Sequence, residues 1–193
     1  MKISPKFVIK VAGTLTVIAL VTAALLGLVD GVTRDKIAEI EAEKTRIAMS
    51  AVTPAGSEFT DKLEIPAEAA EAAAAQGGKV LELYGVKAGG CVMKISASGS
   101  QGSIVMMVGV DGNKAITGIS VVSHSETSGI GTKVVGNELN DAGVPVLDQF
   151  IGLSGSGSLV VKKNITPITT ATVSTKGITM GANAALAAAE ALG

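Results

Sequence analysis

Between Ile168 and Gly181 the chain reads ITTATVSTKGITMG, a run without His, Cys, Asp or Glu. Thr169, Thr170, Thr172, Ser174 and Thr175 crowd its first half and lead directly into an Ala-rich segment. There Ile178, Ala182, Ala185, Ala189 and Leu192 recur at spacings of four and three, which is one face of a helix. Ser and Thr ahead of such a run are expected to cap it, because their oxygens accept from the orphan N–H groups of the first turn. A helix N-terminus also carries the positive end of a dipole and therefore suits a phosphate. Lys162, Lys163 and Lys176 add to the positive field nearby. The chemistry on offer is anion holding by hydroxyls and backbone N–H groups. A hydroxyl-capped helix that holds no ligand fits the same residues, and both readings stay open at this point.

A second polar run, His124-Ser125-Glu126-Thr127-Ser128-Gly129-Ile130-Gly131-Thr132-Lys133, closes an expected strand. Its two glycines allow a backbone to approach a ligand closely, and N–H groups in such a turn can donate. An ionised Glu126 is acceptor-only and could receive the N–H edge of a heterocycle. A glycine-rich turn with a surface histidine is the plain alternative. His124 is the only histidine and Cys91 the only cysteine. A multi-His metal site, a Cys-ligated cluster and an internal disulfide are thereby excluded. Cys91 reads as a small buried apolar residue.

The elements that must position these runs follow from patterning. Val11 to Val29 is uncharged and apolar over 19 residues, close to the roughly 20 that cross a bilayer. Lys2, Lys6 and Lys10 precede it without an acidic residue, so the N-terminus is expected in the cytoplasm and the remainder outside. The run exceeds the roughly 7–15 apolar residues of a cleavable signal, which favours a permanent anchor. Thr33 to Val52 has helical spacing and suggests a juxtamembrane helix, and Thr53–Ile65 reads as a connection. Pro66 followed by AEAAEAAAAQGG predicts a short helix stopped by glycines. From Lys79, the runs KVLELYGV, CVMKISASG, SIVMMVGVDG and AITGISVVSHSE predict strands, with a turn at Asp111-Gly112. A short helix is expected around Lys133–Leu139 and a further strand at LVVKK. Strands first and helices at the margins give an α+β fold with a mostly antiparallel sheet. Net charge is −1, and no basic cluster interleaves with aromatics, so nothing points to nucleic acid. Aromatics are 2% of the chain, so any flat ligand must be gripped by aliphatic side chains and backbone.

In this order, behind an N-terminal anchor, the two runs resemble the G subunit of the Rnf electron-transport complex. That family is related to the C subunit of the sodium-pumping NADH:quinone reductase and to other domains that carry covalent FMN. The resemblance covers nearly the whole chain: MMVGVDGNKAITGISVVSHSETSGIGTKV is similar to the family's central block, and ITTATVSTKG to its flavin-attachment segment. It implies Thr172 as the residue esterified by the FMN phosphate, with Thr169 and Ala171 at the matching Ser/Thr and Ala positions. It further implies Glu126, Thr127, Gly129, Ile130 and Lys133 near the flavin; Thr170 and Thr175 complete the expected cofactor-binding set. Thr170 stands where the family usually has Gly, Thr166-Pro167 where an acidic residue is common, and ASGSQGS where an aromatic is common.

The organisation that follows is a cytoplasmic N-terminus at 1–6, a transmembrane helix at 7–29, a juxtamembrane helix and connection at 30–65, and an FMN-binding domain at 66–193. The resemblance implies a single-pass flavoprotein of the cell membrane that relays electrons within an ion-translocating ferredoxin:NAD oxidoreductase. Its implied partners are the other membrane subunits and a flavin transferase for maturation. An anchored extracytoplasmic domain with a degenerate flavin site, and the equivalent subunit of a sodium-pumping quinone reductase, are the competing readings.

Overall fold

A computed structural model describes residues 5–193; Lys2 and most of the expected 1–6 segment lie outside the described residues. The chain divides into two compact units, Met1–Glu43 and Lys44–Gly193.

A single helix, α1 (Pro5–Ala51), replaces the two helices expected on either side of residue 30. Gly31 is a poor helix former but leaves the i→i−4 ladder intact, and Arg34 pairs with Asp30 one turn back at 3.1 Å. From Val8 on, the apolar side chains of α1 in the first unit are exposed, and the helix is long and apolar enough to cross a membrane. Its threonines do not leave polar groups open: Thr14, Thr16 and Thr22 donate to the carbonyls of Lys10, Ala12 and Ile18. Back-bonding of this kind satisfies a hydroxyl inside an apolar helix.

The second unit is a five-stranded antiparallel meander in the order β1-β2-β3-β4-β5. Its strands are β1 (Phe59–Leu63), β2 (Gly78–Val86), β3 (Cys91–Ser98), β4 (Ser103–Val110) and β5 (Ile116–His124). Strand β1 lies in the stretch expected to be a connection. Its FTDKL sequence has no apolar alternation, and four of its five residues are exposed at the sheet edge. The expected LVVKK strand is instead a closed loop. Asn183 donates to the Leu159 carbonyl at 2.9 Å and accepts from its N–H at 3.2 Å. Asn164 accepts from Val160 N at 2.7 Å. Side chains thus satisfy the backbone groups that a ladder would have used.

Alternation along the strands sends Met93, Ile95, Ala97, Ile104, Met106 and Val108 to one face, beneath α4 (Thr172–Ala191) and α2 (Ala67–Ala75). Ala48, Met49 and Val52 cover the other face over Val92 and Met107. Small residues let α4 lie directly on the sheet: a Cβ on Gly177 would stand 2.6 Å from the Ser98 carbonyl oxygen. This contact fixes the start of α4 against the β3–β4 turn. Cys91 is half-buried at the start of β3, and burial pushes its thiol up.

On the second face Glu82 accepts from the Tyr84 phenol at 2.9 Å, with Lys62 and Lys94 beside it at 3.4 and 3.7 Å. Burial, followed by the hydrogen bond to Glu82, pushes Tyr84 up to about 12. A pKa raised above its unfolded value of about 10 gives stability that is whole below that value and is lost as pH rises through about 12. Tyr84 is the only tyrosine, so phenolate absorbance reads it alone. The folded protein should titrate near 12 and the denatured chain near 10; coincident midpoints would contradict this network.

Candidate functional site

The start of α4 differs from the capped helix expected from its hydroxyls. A single 3-10 turn, Thr169–Ala171, leads into it, and Thr172 already has helical dihedrals. Ala171 occupies the cap position and makes no side-chain cap hydrogen bond. Two of these hydroxyls, and that of Thr179 beyond them, point back along the chain instead: Thr172 donates to Thr169 O at 3.3 Å, Thr175 to Ala171 O at 3.1 Å and Thr179 to Thr175 O at 2.8 Å. The residue in the cap position has no oxygen to offer the first-turn N–H groups, so this helix start keeps its affinity for an anion.

The approach to the turn is held from outside. Gln149 accepts from Thr166 N at 2.8 Å and donates to Thr166 O at 3.0 Å. Asp141 accepts from Thr169 N at 3.1 Å and from its hydroxyl at 2.5 Å.

Opposite stands the turn after β5. Glu126 is only 7% exposed. Its Oε1 accepts from Ser100 N at 2.7 Å and Gln101 N at 3.3 Å, and its Oε2 from the Ser174 hydroxyl. One carboxylate therefore ties together the β3–β4 turn, the β5 exit and the first turn of α4. A Cβ on Gly131, the first residue of α3 (Gly131–Val135), would collide with Glu126, so only glycine fits there. Gly129 has φ +75° and donates to the Thr132 hydroxyl at 2.8 Å, which sets the turn that carries Thr127 and Ile130. His124 is exposed and accepts from Glu126 N at 3.2 Å, the part of a surface turn residue.

The two sequence runs meet around a cleft of about 210 Å³ lined by Ser100, Glu126, Thr127, Ile130, Gly131, Thr169–Ser174. Of the expected site residues, Glu126, Thr127, Ile130, Thr169, Thr170, Ala171 and Thr172 belong to this lining. Gly129 and Lys133 do not, although they lie in the same turn and helix. Thr175 is fully buried and spends its hydroxyl on Ala171 O. On the other flank of Thr172 lies a second cleft of about 380 Å³, walled by Leu159, Val160, Val161, Lys162, Lys176 and Met180 among others. Of the residues lining the two clefts, only Thr172 belongs to both. Ser100 carries no signal in the sequence and Ser174 reads there only as a capping hydroxyl, since the parts both play arise from Glu126 reaching across the fold.

Residues 99–187 match the FMN-binding domain family and residues 1–52 the RnfG N-terminal region. The chain is 31% identical to the G subunit of the Na(+)-translocating ferredoxin:NAD(+) oxidoreductase complex of Acetobacterium woodii, over 92% of this chain and 89% of the relative. It is 28% identical to the G subunit of the ion-translocating oxidoreductase complex of Methanosarcina acetivorans, over 90% and 89% of the two chains. The protein of the same name from Pseudomonas aeruginosa is 32% identical over 60% of this chain and 56% of its own.

Proposed function

The chain belongs to the family of Rnf-type G subunits, and from that premise we propose that it is the membrane-anchored flavoprotein subunit of an ion-translocating ferredoxin:NAD oxidoreductase, with FMN esterified to Thr172. The observation that carries the proposal is the place of Thr172. Its hydroxyl stands at an uncapped helix start, half-exposed, and borders both clefts.

The residues suit FMN. First-turn N–H groups of α4, with Lys162 and Lys176, favour a phosphate at Thr172. The uncharged polar and aliphatic side chains of Thr127, Ile130, Thr170 and Val173 offer a flavin a wall without an aromatic sandwich. A covalent bond removes the translational cost of holding the group, so aliphatic walls suffice. The flavin, when bound, supplies electron acceptance and donation. The chain's own contribution is to fix the attachment hydroxyl, shape the walls and exclude other orientations through the Glu126 tie. The protein transfers electrons within a complex and is not catalytic alone.

The topology follows the charge argument: residues 7–29 span the membrane, 1–6 face the cytoplasm, and the FMN-binding domain of 66–193 is extracytoplasmic together with β1 and residues 48–52, which pack on its sheet. Its partners are the other membrane subunits and a flavin transferase. The test is to purify the full chain co-produced with a flavin transferase, denature it, and record visible flavin absorbance and in-gel fluorescence. Colour that survives denaturation is the expected result; a colourless chain would leave an anchored domain with a degenerate site.

A further inference from the structure

Thr169 is gripped twice by one carboxylate from a loop that is 28 residues away in sequence. Asp141 Oδ1 accepts from Thr169 N at 3.1 Å, and Oδ2 from its hydroxyl at 2.5 Å. The grip is reciprocated, because Asp141 N donates to Pro167 O at 3.2 Å. The loop that carries Asp141 is itself preset. Asn140 is buried, and its Oδ1 accepts from Ala142 N at 2.9 Å and Val144 N at 3.1 Å. Gly143 completes the turn at φ +78°.

What Asp141 holds is the 3-10 turn that presents Thr172. Such turns have poor internal hydrogen-bond geometry, and this one is exposed at Thr169 and Thr170. Its backbone bond is Ala171 N to Ile168 O at 2.8 Å. The carbonyl of Thr169 in turn accepts the Thr172 hydroxyl at 3.3 Å. A hydroxyl whose proton is directed onto that carbonyl keeps its lone pairs for an incoming phosphorus. The relay therefore runs from Asp141 through Thr169 to the nucleophilic oxygen.

We propose that Asp141 is the positioning residue for flavin attachment, clamping Thr169 so that the 3-10 turn offers the Thr172 hydroxyl in one orientation. This rests on Thr172 being the attachment site. The reaction forms a bond between Thr172 Oγ1 and the flavin-side phosphorus of a flavin dinucleotide. It breaks the pyrophosphate P–O bond, AMP leaves, and the threonine proton passes to a base on the transferase; nothing is oxidised or reduced. Asp141 touches no reacting atom and acts through Thr169 alone.

The test is the initial rate of labelling of the full-length chain by a flavin transferase, read by intact mass and in-gel fluorescence, with thermal melts of the unlabelled proteins alongside. Loss of the two-bond clamp should slow Asp141→Ala about tenfold, with a melt close to that of the parent. Asp141→Asn should recover most of the rate, because its amide can accept from Thr169 N and donate to the Thr169 hydroxyl. Thr169→Val removes only the hydroxyl arm and leaves the Asp141 loop intact. It should be slowed in part, and the double variant should be no slower than Asp141→Ala alone, because Asp141 acts through Thr169. Labelling of Asp141→Ala at the parent rate overturns the proposal. So does an Asp141→Asn protein as slow as Asp141→Ala, which would make the charge rather than the clamp the feature read. If Asp141→Ala fails to melt cooperatively, Thr169→Val decides alone, and the parent rate there overturns it. Thr172→Ala in the same assay separates the two claims. A label on that protein defeats the attachment site, whatever Asp141 does.

Discussion

Replacing Thr172 with Ala should remove covalent flavin completely and leave the second unit folded. The hydroxyl is half-exposed, and its one hydrogen bond, to Thr169 O, is long at 3.3 Å, so its loss costs no more than about 1 kcal/mol. In a unit of this size that lowers the melting temperature by only about 3 °C. Thr172→Ser restores a hydroxyl at the same backbone position and should regain the flavin. Thr170→Ala supplies the contrast, because Thr170 lines only the smaller cleft and its removal should leave attachment intact. In-gel fluorescence after denaturation reads all three. A fluorescent Thr172→Ala chain would move attachment to a neighbouring hydroxyl, with Thr170 the first to try.

Glu126→Ala should have the largest effect on stability. It strips the acceptor from two backbone N–H groups, those of Ser100 and Gln101, and from the Ser174 hydroxyl, which is 1% exposed. Donors left unsatisfied beside a buried space cost about 2–4 kcal/mol in sum, or about 6–12 °C in melting temperature. The cleft should loosen with it, because the same carboxylate joins three of its walls. Glu126→Gln keeps one acceptor oxygen and should lose less than half as much. In the flavin-loaded protein, Glu126→Gln is also expected to shift the flavin potential without detaching the flavin. A melt of Glu126→Ala that matches the parent would show that the tie is not structural.

Much of this arrangement is legible in the sequence, for local reasons. Strands β2 to β5 announce themselves by alternation between turn residues, and α4 by the spacing of Ile178, Ala182, Ala185 and Ala189. Strand β1 is hidden because an exposed edge strand needs no apolar face. LVVKK has the composition of a strand, but Asn183 and Asn164 take its backbone groups. The hydroxyl run marks a helix start, yet none of its hydroxyls caps the helix: Thr172 and Thr175 bond backward, while Thr169 and Ser174 bond across to Asp141 and Glu126. The sequence places Glu126 and Thr172 in one site only through family resemblance. Their meeting depends on α4 lying against the β3–β4 turn, and no local pattern encodes that. Asp141 is the extreme case, a surface acid in a polar loop whose partner is known only once the chain is folded.

Attachment at Thr172 is decided by the mass of the proteolytic peptide that contains it, taken from full-length protein co-produced with a flavin transferase and then denatured. The expected result is an addition of FMN less one water, with fragmentation placing it on Thr172. An unmodified peptide, or the same addition on another residue, would contradict it.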